Sequence, residues 1–438
     1  MSSIAKLLEE GMETSVVCTE PAAIGLAVSA AFDALRKRIP DLHLEDVEEI
    51  KVETDRDVYK NSLGVGVAYD HELKGAKHAA ALGIFCDPRE SLHLFQNLTS
   101  EKASGARKLA PKAEVIPNYG WEELHIEAKV MARNHGGIAH IIGGHSNISY
   151  IAVDGEVLFR QEAKDVAVSE FKSWDDLNLF IKEIEDLPPE AERKIREAIE
   201  VNYEAFIEAE RCIGERGLGA LFKGLIKQDS SAQDCINRAR EMLSMAVEAR
   251  MAGFNIKVMT CAGSGNMGLV ATLPLKAVAE RFGQDGEKLV RAVGLAQLIA
   301  TYVSEYSGKL SALCGCSIKA GIGLTAGVAY YLLEENSTRE QKVKTIGSAI
   351  NNLAANITGM ICDGAGLRCV LKATTATQAA MESALFALEG VAIPAGAGIV
   401  DQNPVLTLRN IGKVSEGMVE TDRMLIKEIL GAPDRQSM

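Results

Sequence analysis

Residues 318–333 read IKAGIGLTAGVAYYLL and decide how the C-terminal half of this chain folds. The same character extends from about residue 230 onward, where Ala, Gly, Met and Leu are abundant and strand signals are few. Small residues at this density let helices approach closely, with little side-chain volume between them. Gly, Lys and Thr interrupt the segment, which falls short of the roughly 20 apolar residues that span a bilayer. We therefore predict a mainly helical domain over residues 231–438.

Upstream of that half, helix and strand signals are mixed. Residues 22–38 follow a proline, which is common at the first position of a helix, and they predict a helix. Residues 47–54 (VEEIKVET) alternate and predict a strand, as do residues 123–132, 140–142 and 149–153. Residues 61–67 (NSLGVGV) predict a Gly-rich turn. Asp154-Gly155 between β-type residues is typical of a hairpin turn. This part of the chain is therefore expected to be mixed α/β.

These patterns together predict an α+β fold. We expect a mixed α/β domain over residues 1–165, a helical connector over residues 166–230 and the helical domain after it. The connector is rich in charged residues, and Pro188-Pro189 separates two helices within it. A chain of 438 residues fits two or three domains, because a single hydrophobic core stops growing near about 250–300 residues.

The composition excludes several classes of partner. The net charge is −13, and an acidic surface repels phosphate backbones and anionic lipid. We therefore expect no nucleic acid and no membrane as partners. The N-terminus lacks a basic start followed by an apolar block, which favours a cytoplasmic protein. A homo-oligomer is left open, since the Ala- and Gly-rich helices could pack between subunits.

The cysteines carry the strongest chemical signal. Nine cysteines without an export signal argue against disulfides. Cys314-Gly-Cys316 is followed by CDGAGLRC at residues 362–369. Iron–sulfur clusters are held by thiolates on Gly-containing backbone, because the sulfide atoms need close N–H approach. Cys362 and Cys369, with Cys314 or Cys316 as a third ligand, would leave one iron open for Lewis-acid chemistry.

Two other interpretations of these cysteines are open. Zinc is the alternative metal, but the spacing is not that of a zinc knuckle and no nearby His completes a tetrahedral set. The cysteines could also be small core residues in a metal-free binding module.

Three further motifs could form a substrate site. Residues 260–268 (TCAGSGNMG) expose backbone N–H groups at the start of a helix, where a carboxylate could bind, although Gly-rich turns are common. Cys18 precedes a helix, whose dipole would lower the pKa of the thiol and favour a thiolate. It could equally belong to an ordinary N-cap. His145, in a polar turn, could bind a carboxylate, shuttle a proton or simply close the turn.

Seven short blocks together resemble the L-cysteine desulfidase family, which is related to the iron–sulfur L-serine dehydratases. The resemblance covers roughly residues 13–422, and its most specific blocks are the first and the last. The blocks are CTEP at 18–21, NSLGVG at 61–66, AAALG at 79–83, HSNI at 145–148, AGSGN at 262–266, LCGC at 313–316 and CDGAGLRC at 362–369.

The resemblance implies a lyase that uses a four-iron four-sulfur cluster and no pyridoxal phosphate. It implies Cys362, Cys369 and Cys316 as cluster ligands, with Cys314 as the alternative to Cys316, and Cys18 as the catalytic thiol. The implied substrate contacts are Ser264, Asn266, His145 and Asn61.

The implied reaction converts L-cysteine to pyruvate, ammonia and hydrogen sulfide. A dehydratase of L-serine or another β-hydroxy amino acid is the first alternative, and a non-catalytic iron–sulfur or redox sensor is the second. The sequence departs from the family pattern at Gly366, where lysine is usual, and at Ser146, where threonine is usual. Both positions lie in predicted site loops, so they bear on substrate identity.

Overall fold

The computed structural model describes residues 4, 7–8, 11–68, 72–161, 170–214, 217–225, 232–283, 286–396 and 398–432. Its first part mixes strands and helices, as the sequence predicts. The elements are β1 (Thr14–Ser15), α1 (Thr19–Arg38), β2 (Val47–Asp55), α2 (Arg56–Ser62), β3 (Gly66–Ala68), β4 (Leu73–Lys74), α3 (Gly75–Gly83), α4 (Ser100–Leu109), β5 (Ala113–Asn118), β6 (His125–Ala132), β7 (His135–Ile142), β8 (Ile148–Val153) and β9 (Glu156–Arg160).

The main sheet has six strands in the order β5-β2-β6-β7-β8-β9. β5 runs parallel to β2, and every other neighbouring pair is antiparallel. Asp154 and Gly155 both have positive φ and form the predicted β8–β9 turn, the conformation that lets a two-residue hairpin follow the sheet twist. α1 crosses one face of the sheet. A Cβ at Gly137 of β7 would lie 2.3 Å from the carbonyl oxygen of Ala31, so glycine is required at this crossing.

The rest of the chain is almost entirely helical. Its elements are α5 (Leu177–Glu185), α6 (Pro189–Ile213), α7 (Leu218–Lys223), α8 (Ala232–Ala252), β10 (Val258–Met259), α9 (Gly265–Phe282), α10 (Glu287–Ser307), a π-helical turn (Gly315–Lys319), α11 (Ala320–Leu332), α12 (Arg339–Ile357), α13 (Arg368–Leu388), α14 (Pro404–Gly417), α15 (Val419–Met424) and a second π-helical turn (Leu425–Ile429).

Glycine allows the close helix packing that residues 318–333 predict. A Cβ at Gly323 of α11 would lie 2.2 Å from the carbonyl oxygen of Ala296 on α10. One turn further along α11, a Cβ at Gly327 would lie 2.7 Å from the carbonyl oxygen of Ala292. The two helices therefore touch backbone to backbone, and any larger side chain would push them apart. None of the helices within the described ranges has the length and apolar character needed to cross a membrane.

The buried side chains form two hydrophobic cores. One lies between the sheet and helices α1, α3 and α4, and the other lies among the C-terminal helices. α5 and α6 bury apolar residues such as Phe180 and Ile195 in the second core, so the predicted connector covers the helical half. The predicted α+β fold is confirmed, while the domain limits at residues 165 and 230 stay predictions. Cys18, from the first part of the chain, packs with the second core, so the first turn of α1 lies where the two cores meet.

Candidate active site

One cavity between the two cores gathers most of the predicted site residues. Cys18, Asn61, Ser264 and Asn266 line it together with all four cysteines of the Cys314-Gly-Cys316 and 362–369 segments. His145 does not line this cavity. It lines the neighbouring one with Ser146, Thr260 and Lys309, and Lys309 borders both cavities.

Cys18 is the N-cap residue of α1, and its thiol is buried. Its Sγ donates to Oε2 of Glu20 at 3.0 Å. Burial, and then the negative charge of Glu20, raise the pKa of the Cys18 thiol well above its usual value. This direction is opposite to the lowering expected from the helix dipole. Cys18 is therefore a protonated thiol at neutral pH, and it can become a thiolate only by giving its proton to a partner such as Glu20.

Glu20 is held by two neighbours besides Cys18. Oε1 accepts from Nδ2 of Asn61 at 3.1 Å, and Oε2 also accepts from the Thr19 hydroxyl at 3.1 Å. Burial alone would raise the pKa of Glu20, but the charge of His145, the hydrogen bond from Cys18 and the charge of Arg250 lower it. Glu20 is therefore a carboxylate at neutral pH, and it is in hydrogen-bond contact with the Cys18 thiol.

Asn61 connects this carboxylate to the cysteine-rich side of the cavity. Its Oδ1 accepts from the Cys362 thiol at 3.5 Å, within the range for sulfur donors. The sequence predicts a turn at this position, whereas Asn61 lies in the last turn of α2. The Asp55 side chain caps α2 by accepting from the backbone N–H groups of Asp57 and Val58, which sets the direction of the helix.

The two cysteine segments are joined through their backbones. The N–H of Cys314 donates to the carbonyl of Met360, and the N–H of Cys362 donates to the carbonyl of Ala312. A π-helical turn, a form frequent at functional sites, begins directly after Cys314. These contacts place the thiols of both segments on one wall of the cavity.

The four thiols act on one another. The Sγ atoms of Cys314 and Cys316 lie 3.4 Å apart, and this hydrogen bond lowers the pKa of Cys314 to about 6. A hydrogen bond between Cys316 and Cys369 lowers the pKa of Cys369 in the same way. Burial raises the pKa of Cys362 to about 12, against the opposing charge of Lys60. The thiolate forms of Cys314 and Cys369 are thus favoured relative to those of an ordinary cysteine.

The donor chemistry of this wall fits an iron–sulfur cluster. All four donors are thiols, and Gly364 and Gly366 between Cys362 and Cys369 adopt positive φ values that keep the backbone open. In the described ranges, no three or more His, Cys, Asp or Glu side chains converge as a single metal ion would require.

Ser264 and Asn266, which are predicted to hold a carboxylate, line the same cavity as the cysteines. Ala262 and Gly263 have positive φ and turn the chain into α9. Ser264 is the N-cap of that helix, and its Oγ accepts from the N–H of Met267 at 3.5 Å. α9 begins at Gly265, inside the 260–268 motif. Asn266 therefore lies in its first turn, where the helix end is positive.

Three site residues were missed or left without a role in the sequence analysis. Glu20 is part of the CTEP block but was given no function. Arg250 sits in a helix with several other charged residues, and no local pattern separates it from surface arginines. Lys319 had a usable signal, because it interrupts an otherwise apolar stretch. Burial lowers the pKa of Lys319 to about 8, and its Nζ donates to the carbonyls of Gly308 and Lys309.

A buried network of ion pairs packs against the 362–369 loop. Nζ of Lys60 on α2 contacts Asp57 at 3.0 Å and Asp422 of α15 at 2.6 Å. A Cβ at Gly364 would lie 2.8 Å from the Lys60 carbonyl oxygen, so the loop rests directly on this residue. Burial acts to lower the pKa of Lys60, but the two carboxylates outweigh it and raise the pKa. The network ties the C-terminal helix to the helix that carries Asn61.

Replacing Lys60 by Met should lower the free energy of unfolding by about 3 kcal/mol, because two buried carboxylates lose the nearer of their two cationic partners and keep only Arg56, whose Nε lies 3.6 Å from each. Urea unfolding monitored by circular dichroism measures the effect. Lys37→Met is the control, since its ion pair with Asp33 is exposed and should contribute little. A loss below about 1 kcal/mol for Lys60→Met would contradict a stabilising role of the network.

Comparison with known proteins places the chain in a family. The family model for the serine dehydratase alpha chain matches residues 90–427, which include the cysteine segments. A UPF0597 protein of Desulfatibacillum aliphaticivorans is 34% identical over 98% of both chains. A UPF0597 protein of Caldanaerobacter subterraneus subsp. tengcongensis is also 34% identical over 98% of both, and one of Clostridium botulinum is 32% identical over 97% of both.

Cys18 and Asn61 precede the range of the family model but fall within the near full-length similarity to these relatives. The expected relation to the serine dehydratases is confirmed at the level of the family. This chain belongs to the serine dehydratase alpha chain family.

Proposed function

We propose that this protein is a lyase that eliminates the β-substituent of a small amino acid, with L-cysteine as the preferred substrate. The observation that carries the proposal is the composition of one buried cavity. A thiol–carboxylate pair, Cys18 and Glu20, shares it with four cysteines and with the turn that precedes α9. The cavity thus combines a proton acceptor, a set of metal donors and a place for a carboxylate.

Cys362 and Cys369 would hold a four-iron four-sulfur cluster together with Cys316, or with Cys314 in its place. When bound, the cluster would supply a Lewis acid for the departing β-substituent. Asn61 contacts both Cys362 and Glu20, so it links the proposed cluster ligand to the proposed proton acceptor.

The protein side chains would account for the proton transfers. Glu20 takes the proton of Cys18 across their 3.0 Å contact, which leaves a thiolate facing the cavity. The thiolate removes the α-proton of the substrate. The electron pair of the Cα–H bond forms the Cα–Cβ double bond, and the Cβ–S bond breaks with its electrons leaving on sulfur. Glu20 then returns its proton to the departing hydrosulfide, which gives hydrogen sulfide.

The remaining product, aminoacrylate, reacts further without help from a side chain of the protein. Elimination leaves aminoacrylate, which tautomerises and hydrolyses to pyruvate and ammonia. At the end of the cycle Cys18 carries the former α-proton and Glu20 is again a carboxylate. The starting state of the pair is thus restored without a net change in protons.

L-serine, or another β-hydroxy amino acid, is the second candidate substrate. It is favoured by membership of the serine dehydratase alpha chain family. The same residues would act, and water would leave in place of hydrogen sulfide. Cysteine is preferred because the seven sequence blocks, including the thiol of the CTEP block, resemble the desulfidase pattern.

The test is a comparison of turnover and metal content in protein purified without oxygen. We expect about four iron and four acid-labile sulfide per chain, with pyruvate formed faster from L-cysteine than from L-serine. Faster release from serine would make the protein a dehydratase. A full complement of iron with no pyruvate from either amino acid would instead support a non-catalytic sensor, in which all four cysteines are ligands.

A further inference from the structure

Arg250 carries a positive charge to the wall of the cavity, and this charge lowers the pKa of Glu20 in the same cavity. It lies on α8, is only 1% exposed and lines the same cavity as Ser264 and Asn266. Within the described ranges, no carboxylate forms an ion pair with it. A buried charge is costly unless it is paired. Because Glu20 acts on Arg250 without direct ion-pair contact, an anion that touches the guanidinium would have to come from a ligand.

The hydrogen bonds of Arg250 hold it in one orientation. Nη2 donates to the carbonyl of Val17 at 2.9 Å and contacts Oγ of Ser15 at 3.4 Å, while Nη1 donates to Oδ1 of Asn266 at 3.1 Å. The Nε–H is buried and has no partner among the described residues. A guanidinium with a free, desolvated N–H in a cavity wall is prepared to bind an anion.

Arg250 also decides which way the Asn266 amide faces. Because Oδ1 accepts from the guanidinium, the amide must present its NH₂ group on the other side. The neighbour of Nδ2 there is Sδ of Met251 at 3.5 Å, a weak acceptor. Asn266 lines the cavity, and its NH₂ group keeps donor capacity beyond this weak contact.

The backbone provides space for this arrangement. The guanidinium packs on Gly265, where a Cβ would lie 2.5 Å from Cζ of Arg250. Gly265 is the first residue of α9, an 18-residue helix, so the positive helix end and the guanidinium lie side by side. Ser264 lines the cavity beside them. All of these groups are hydrogen-bond donors or positive, so they suit a carboxylate.

We propose that Arg250, with Asn266 oriented by it, binds the α-carboxylate of the substrate and makes a free carboxylate a requirement for binding. This role rests on the proposed function for the class of substrate, a small amino acid. It adds a residue that determines specificity, since an amide or ester of the same amino acid would leave the charge of Arg250 uncompensated. Arg250 then selects substrates by their α-carboxylate, independently of the β-substituent.

The test compares an acid with its amide, using ligands that cannot undergo elimination. Binding of L-alanine and L-alaninamide to the anaerobically purified holoprotein is measured by calorimetry. For wild type we expect the acid to bind about 10- to 100-fold more tightly, the range of a charge-assisted hydrogen bond. In Arg250→Met this ratio should fall to near one while the affinity for the amide stays unchanged. Arg250→Lys should keep part of the preference.

The outcomes separate this role from a structural one and from the proposed function itself. Equal weakening of both ligands in Arg250→Met, or an unchanged ratio, would overturn the assignment of Arg250 and leave the lyase proposal standing. If wild type binds neither ligand, the amino-acid substrate class fails and the Arg250 assignment fails with it. Should Arg250→Met not fold, Arg250→Lys alone decides: a reduced preference for the acid supports the assignment, and an undiminished preference overturns it.

Discussion

Cys362→Ala protein, purified without oxygen, is expected to contain little or no iron and to form no pyruvate from L-cysteine. Cys362 is the proposed ligand that connects the metal side of the cavity to Asn61 and Glu20. Its loss removes one of three thiolates and leaves a backbone loop that has no other donor at this position. With the cluster absent, the leaving sulfur has no Lewis acid, and the elimination stops.

The measurement is iron and acid-labile sulfide per chain, together with pyruvate release, for variant and wild type prepared in parallel. Cys212→Ala is the matched control. Cys212 is an exposed cysteine near the C-terminal end of α6, and its replacement should change neither iron content nor turnover. Retention of both iron and turnover by Cys362→Ala would show that the cluster assignment is wrong.

The same assay separates the two candidates for the third ligand. If three cysteines bind the cluster, only one of Cys314→Ala and Cys316→Ala should lose iron. If both variants lose it, the set has four ligands and the open iron required for catalysis is missing. The 3.4 Å separation of the two thiols means that geometry alone does not distinguish these outcomes.

Glu20→Gln protein is expected to keep its iron and to lose turnover by about 10²- to 10⁴-fold, the usual contribution of a general base. Glutamine preserves the shape of the side chain but cannot take the Cys18 proton. Cys18→Ala should show the same pattern, with full iron and a comparable loss. The measurement is kcat for L-cysteine, with iron content determined on the same samples.

Thiol reactivity gives a second readout of the Cys18–Glu20 pair. Burial and the charge of Glu20 both raise the pKa of Cys18. Removing that charge should lower the pKa, so iodoacetamide should modify Cys18 faster in Glu20→Gln than in wild type at the same pH. Thr19→Val, which removes only a hydroxyl donor to Glu20, is the control and should retain most of the activity. An undiminished kcat in Glu20→Gln would exclude Glu20 as the proton acceptor.

Local patterns were sufficient for much of the fold. The alternation of residues 47–54 predicts β2, and the spacing after Pro21 predicts α1. Asp154-Gly155 predicts the β8–β9 turn, because few residues other than glycine and short polar ones accept positive φ. These features depend on side-chain period and backbone sterics over a few residues, and both can be read directly from a sequence.

Prediction was less accurate where packing overrides local preference. The glycines of residues 61–67 suggest a turn, yet Asn61 completes α2 because Asp55 caps that helix and Lys60 is buried against Asp422. The sequence predicts a strand only over residues 140–142, but β7 begins at His135 and runs through Gly136 and Gly137. Because Gly137 has no side chain, α1 can pack closely against β7 at this position. A local sequence pattern does not reveal that contact.

The sequence by itself determined the identity of the chemical groups: cysteines on glycine-rich loops, a thiol at a helix start and a turn rich in N–H donors. Only the tertiary structure decided which of them meet. Asn61 and Cys362 are 301 residues apart in the chain, and their contact depends on the packing of two hydrophobic cores. Burial, which brings the charges of Glu20 and Arg250 into one cavity, is likewise a property of the whole fold. It arises from contacts distant in sequence, whereas helical and strand periodicity arises from neighbours along the chain.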